Sequence, residues 1–156
     1  MKRKILLFFM AFMVLGCAAK KAHLGVDDFK EMLKNHALIV VYNDGTFKTY
    51  DDKGIIPLFK HLNGGDFRNC DVYDKITGKA SSLILAYGGA KTLYTGVLSK
   101  EAIPVLEKYN IKYQADKTVD YIINRTGDDK CPMEKLVTNI SEPEEAYKTL
   151  KTVIKN

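Results

Sequence analysis

The stretch Asn124-Arg125-Thr126-Gly127-Asp128-Asp129-Lys130-Cys131-Pro132-Met133-Glu134 sets a turn, a thiol and a carboxylate at what reads as the start of a helix. Pro132 suits the first helical position, where its missing N–H removes no hydrogen bond. Glu134 then falls in the first turn, where the helix dipole favours a carboxylate. Cys131 sits beside free N–H groups, a setting that lowers the pKa of a thiol. With Asp74 or Glu134 as acid–base partner, Cys131 is a candidate nucleophile or redox-active thiol in a metal-independent enzyme. The competing assignment is a buried structural cysteine, the commoner fate of a lone Cys.

The elements that must position these groups follow from periodicity and punctuation. Val26, Phe29, Met32 and Leu33 recur at helical spacing, so a helix is expected from about Val26 to Asn35. Ala37 to Tyr42 and Thr46 to Tyr50 read as two strands joined at Asn43-Asp44-Gly45, a hairpin signal. A short helix is expected from Ile55 to Leu62, then a loop or edge strand from Phe67 to Tyr73, then a long helix from Asp74 to Tyr87. Thr92 to Leu98 is a strand, Lys100 to Tyr109 a helix, and Ile111 to Tyr113 the start of another strand. Asp116 to Ile123 adds a further turn of helix or strand before the Cys131 helix. The last helix has Ser141 as its expected cap, Glu144 three residues later and Pro143 in its first turn, with Ala146, Tyr147, Leu150 and Ile154 as its buried stripe. A hairpin followed by alternating helix and strand predicts a single α/β domain in three layers, α-β-α, over residues 26–156.

Composition bounds the address. Lys2, Arg3 and Lys4 precede an unbroken apolar run from Ile5 to Leu15, and Val14-Leu15-Gly16-Cys17 closes it. The run falls short of the roughly 20 residues that span a bilayer and has the length of a secretory h-region. Ending in Gly-Cys, it resembles a bacterial lipoprotein signal, with residues 1–16 removed, Cys17 lipidated and residues 17–25 as a tether. The alternative is an ordinary signal peptide or signal-anchor with a chance cysteine. A lipoprotein address implies an exported chain held at the cell membrane or outer membrane. Residues 1–16 carry basic but no acidic side chains, so the net charge of +5 is partly a targeting feature. No Lys/Arg cluster with interleaved aromatics remains, and no nucleic-acid partner is expected. The oxidising compartment leaves Cys70 and Cys131 the choice of pairing or remaining free thiols.

The segment Asp74-Lys75-Ile76-Thr77-Gly78-Lys79-Ala80, the Asn124–Glu134 stretch, the hairpin before them and the Glu/Pro-rich cap after them together resemble an uncharacterised domain-of-unknown-function family with a cytidine-deaminase-like fold. The resemblance covers roughly Asp27 to Lys151. It implies a zinc site that the residues refuse. Zinc deaminases place a His or Cys and a general-base Glu at one helix start and Pro-Cys-x-x-Cys at the next, whereas this chain offers Thr77-Gly78-Lys79-Ala80 and a single Cys131 followed by Pro132. His23, His36 and His61 all lie upstream. No metal or other cofactor is expected.

What the resemblance does imply is two helix N-termini converging on one pocket, with Lys75, Gly78, Lys79, Asn124, Arg125, Thr126 and Gly127 around a small anionic or nucleotide-like ligand. Gly78-Lys79 is no Walker A motif, since no glycine precedes it at the required spacing and Ala80 replaces Ser/Thr. Plainer roles stand beside each of these. Gly78 permits close packing, Lys75 and Lys79 form a solvated i,i+4 face, and Asp74 is an N-cap. Asn124 to Gly127 is then a turn held by its own side chains, with Arg125 pairing Asp128 or Asp129.

Overall fold

The structure is a computed structural model and describes residues 24–154. The expected signal segment, residues 1–16, lies outside the described residues, as do Cys17 and His23. Among those described, no helix is long and apolar enough to cross a membrane.

The elements run α1 (Val26–Met32), β1 (Leu38–Tyr42), β2 (Phe47–Tyr50), α2 (Ile56–Gly64), β3 (Cys70–Thr77), α3 (Lys79–Tyr87), β4 (Thr92–Ser99), α4 (Ile103–Lys108), β5 (Lys112–Val119), α5 (Pro132–Leu136) and α6 (Pro143–Val153). The five strands form one sheet in the order β2-β1-β3-β4-β5. β1 is antiparallel to β2 and β3, while β3, β4 and β5 run parallel. The expected hairpin turns at Gly45, whose φ of +80° lies in the left-handed region.

Alternation along the strands divides two cores. Leu38 and Val40 of β1, Cys70 and Val72 of β3 and Leu93 of β4 join α2, α3, α4 and α6 in the larger core, around fully buried Leu83, Ile84, Leu106 and Leu150. Ile39 and Tyr73 point the other way, onto Phe29 and Leu33 beside α1. The chain is therefore an α/β domain in which the sheet lies between helical layers. α3 occupies the middle of its layer, packed against α2, α4 and α6.

Expectations for β3, Asp74 and Ser141 need correction. The region Phe67–Tyr73 is no edge strand: β3 is the central strand and continues through Asp74 to Thr77, where a helix was expected to open. Alternation decides this, because Asp74 follows Cys70 and Val72 in the column facing the larger core, and its burial is better than its charge suggests. Asp74 is accordingly not a helix N-cap; Gly78 holds that position for α3. Likewise Glu142, not Ser141, is the N-cap residue of α6, with Pro143 starting the helix. Cys70 and Cys131 are free thiols. Cys70 begins β3 while Cys131 lies beyond its other end, and an eight-residue strand spans about 23 Å at 3.3 Å per residue, far beyond disulfide reach.

Candidate functional site

In open α/β sheets, sites form outside the carboxyl ends of the parallel strands. Here that end gathers Asp74 and Thr77 of β3, the start of α3, and the segment from Ile122 to Thr138. The centre of this region is Glu134, 1% exposed. Its Oε1 accepts the backbone N–H of Lys79 at 2.7 Å and its Oε2 accepts that of Ile122 at 3.1 Å. Lys79 is the first residue of α3, so the Glu134 carboxylate fills the N-terminal position that an external anion would take.

Gly78 makes this approach possible. Its φ of −100° suits any residue, but a Cβ there would lie 2.8 Å from Glu134 Cδ, nearer still to Oε1, and 3.0 Å from Ile122 Cγ1. The glycine is required by its neighbour rather than by its own backbone.

Lys79 returns the interaction. Its Nζ donates to the carbonyl of Thr138 at 2.7 Å, just past the end of α5, where a cation offsets the dipole's negative pole. α3 and α5 thus cap each other. Lys75 acts similarly on another element, donating to the carbonyl of Lys34 at 2.8 Å, beyond α1.

Asp74 is the second buried carboxyl at this end, 8% exposed. Its Oδ2 accepts the Thr77 hydroxyl at 2.8 Å and its Oδ1 a longer contact from the Ile76 N–H at 3.4 Å. Burial outweighs these bonds and pushes its pKa up to about 7.

Asn124, Arg125, Thr126 and Gly127 form an exposed turn tied by its own groups. Asn124 Oδ1 accepts the N–H groups of Gly127 at 2.9 Å and Asp128 at 3.3 Å, while Asn124 Nδ2 and the Thr126 hydroxyl both donate to Asp128 Oδ1. The Thr126 bond leads the effects that hold the Asp128 carboxyl below the usual range. Gly127 has φ +81°. Asp129 pairs with Lys135 rather than with Arg125.

Cys131 is half-buried and supplies the N-cap position of α5 through its backbone. Among the described residues its thiol hydrogen-bonds neither Asp74 nor Glu134. The structure brings Gly78, Lys79 and Glu134 together, and among the described residues no side-chain hydrogen bond ties Asp74, Cys131 or the Asn124–Gly127 turn to them, although the Cys131 N–H donates to the Ile122 carbonyl at 2.8 Å. No three His, Cys, Asp or Glu side chains gather as a metal-ligand set among the described residues. His61 is buried between the Tyr50 hydroxyl and the Asp66 carbonyl, each at 3.0 Å. The carbonyl can only accept, so Nε2 carries the proton and Nδ1 accepts from Tyr50.

Beside the Glu134 node opens a cleft of about 370 Å³ lined by Lys79, Glu101, Pro104, Val105, Lys108, Thr138 and Ser141. Lys130 donates to Glu101 Oε1 at 2.7 Å and lies in ion-pair contact with Oε2 at 2.6 Å, which is buried and accepts no hydrogen bond among the described residues, and Lys108 reaches Glu142 at 2.7 Å. Sequence reasoning passed over Glu101, Lys108 and Thr138 because no local spacing links them. It missed Ile122 for a stronger reason: its contribution is a backbone N–H, which leaves no mark on residue type.

A mixed five-stranded sheet between helical layers, with two buried carboxyls at the ends of the parallel strands, defines an α/β domain. More specifically, residues 28–154 match the family model described as "Domain of unknown function (DUF1893)", and the chain belongs to that family. The crystal structure of a DUF1893 family protein from Thermotoga maritima is similar, with a TM-score of 0.74 and 22% sequence identity over 85% of this chain and 93% of that chain. At that identity the likeness speaks for the fold. No curated protein matches the chain.

Proposed function

We propose that this chain is an exported lipoprotein domain, tethered to a membrane through lipid on Cys17, that binds a small anionic or nucleotide-like ligand without turning it over. Its fold is read as cytidine-deaminase-like without the zinc chemistry. The single observation that carries the binding reading is the cleft beside α3. Lys79 and Lys108, from two different helices, line a space of about 370 Å³ together with Pro104, Val105 and Glu101, whose charge Lys130 balances. Two lysines and two apolar residues in one cleft suit a phosphate or carboxylate attached to an apolar or planar body. The α3 N-terminus itself is already occupied by Glu134, which moves the expected anion from the helix start to the neighbouring cleft. Turnover has less support, because both Glu134 oxygens accept backbone N–H groups and neither candidate carboxyl bonds the Cys131 thiol.

Thermal unfolding of the full chain against inorganic phosphate, pyrophosphate, nucleoside monophosphates and dicarboxylates tests the reading. A ligand at a hundred times its Kd adds about 2.7 kcal/mol, which raises Tm by several degrees at roughly 2–4 °C per kcal/mol. Lys108→Glu is expected to abolish the shift. No shift with any of these compounds rejects the cleft as an anion site. For the address, labelled fatty acid should enter the parent chain and not Cys17→Ala; equal labelling rejects the lipobox.

A further inference from the structure

The sheet ends in two edges that differ in a way that bears on assembly. β2 is four residues long and carries a single charge, Lys48. β5 is eight residues long, Lys-Tyr-Gln-Ala-Asp-Lys-Thr-Val, with no proline and no fully buried residue. Its only strand partner among the described residues is β4.

The Lys112 N–H donates inward to the Lys91 carbonyl. Backbone groups alternate along a strand, so Gln114 also faces β4 while the N–H and C=O of Tyr113 and Ala115 face outward. An open edge of this kind is a template for another strand.

The side chains specify which strand. In an antiparallel pairing of β5 with its own copy about a two-fold axis at Gln114, Tyr113 lies opposite Ala115, and their outward groups form the hydrogen-bonded pairs. The same register places Lys112 opposite Asp116, twice by symmetry. Opposite charges directly across strands are favourable, and an aromatic ring over a small residue packs. Asp116 already points to the α1 face, where it meets Lys30 at 2.9 Å, and Lys112 alternates onto that face. β2 has no acidic residue and offers no such match to a second β2.

We propose that β5 is a self-association edge, through which two copies join antiparallel about Gln114 into one continuous sheet. Such an isologous contact closes on itself and leaves both β2 edges outermost.

Light scattering on the full chain should report a dimer. Gln114 is a non-hydrogen-bonded position across the axis, where Cβ atoms approach most closely. In a Cys131→Ser background, Gln114→Cys should therefore form a disulfide-linked dimer under mild oxidation about tenfold faster than Lys48→Cys on the opposite edge. Ala115→Pro removes an outward N–H and no internal ladder bond, and should give a folded monomer. Lys112→Asp sets like charges opposite each other and should weaken association about tenfold, whereas Lys112→Arg should not. A monomer at every concentration, or a dimer indifferent to Lys112→Asp with no preference for cross-linking at residue 114, overturns the proposal.

Discussion

Glu134 and Asp74 are two buried carboxyls at the same end of one sheet, and their surroundings differ in kind. Glu134 accepts two backbone N–H groups from separate segments, one of them at a helix start. Asp74 accepts one hydroxyl at good distance and one stretched N–H from its own strand, and burial raises its pKa to about 7. Depth alone therefore does not decide what a buried carboxyl does. Fixed N–H dipoles aimed at Glu134 make it a structural tie, while Asp74 remains a titrating group within the physiological range.

The largest expected effect comes from removing the tie. Glu134→Ala leaves two part-buried N–H donors without partners and is expected to destabilise the domain by about 3–4 kcal/mol, read as a fall in denaturant midpoint with unchanged slope. An equally stable variant would show that the carboxylate holds nothing. Gly78→Ala should cost about 2–3 kcal/mol by forcing the carboxylate aside. In a Glu134→Ala background that penalty should fall to the remaining contact with Ile122, and strict additivity in the double-mutant cycle would contradict the stated clash.

Asp74 is tested through pH. Its folded pKa lies above the unfolded value of 3.8, so the folded state holds the proton more tightly. The associated stability is fully present below about pH 3.8 and is lost as pH rises toward 7, at up to about 1.4 kcal/mol per pH unit. Asp74→Asn should lack that slope relative to the parent and be the more stable of the two at pH 8; parallel pH profiles would remove Asp74 as the titrating group. The smallest effect is Lys79→Met, which keeps the stem and deletes the Nζ bond to Thr138, for about 1 kcal/mol. Exchange of the α5 amides should rise in this variant, and unchanged protection would argue against mutual capping.

Much of this was legible from residue patterns. The hairpin, the strand at Thr92, the helix beginning at Pro143 and the α/β class all follow from period and punctuation. β3 did not, because Asp74 puts a carboxyl at an inward position where an apolar residue is expected, and imitates a helix cap. β5 read as two fragments for a related reason: an exposed edge strand has no buried face to impose period two. At the site, Gly78, Lys79 and Glu134 stood out individually, yet their joint role did not. Glu134 looked like a first-turn carboxylate serving its own helix, and only tertiary structure shows it serving another.

The clasp between α3 and α5 also has a meaning for sequence variation. Positions 78 and 134 are expected to change together in this family: wherever residue 134 loses its acid, residue 78 is released from glycine, and wherever residue 78 gains a side chain, a buried Glu at 134 is no longer tolerated. A single substitution at either position is then a step downhill in stability, and a path between two stable sequences has its shallower first step at residue 78.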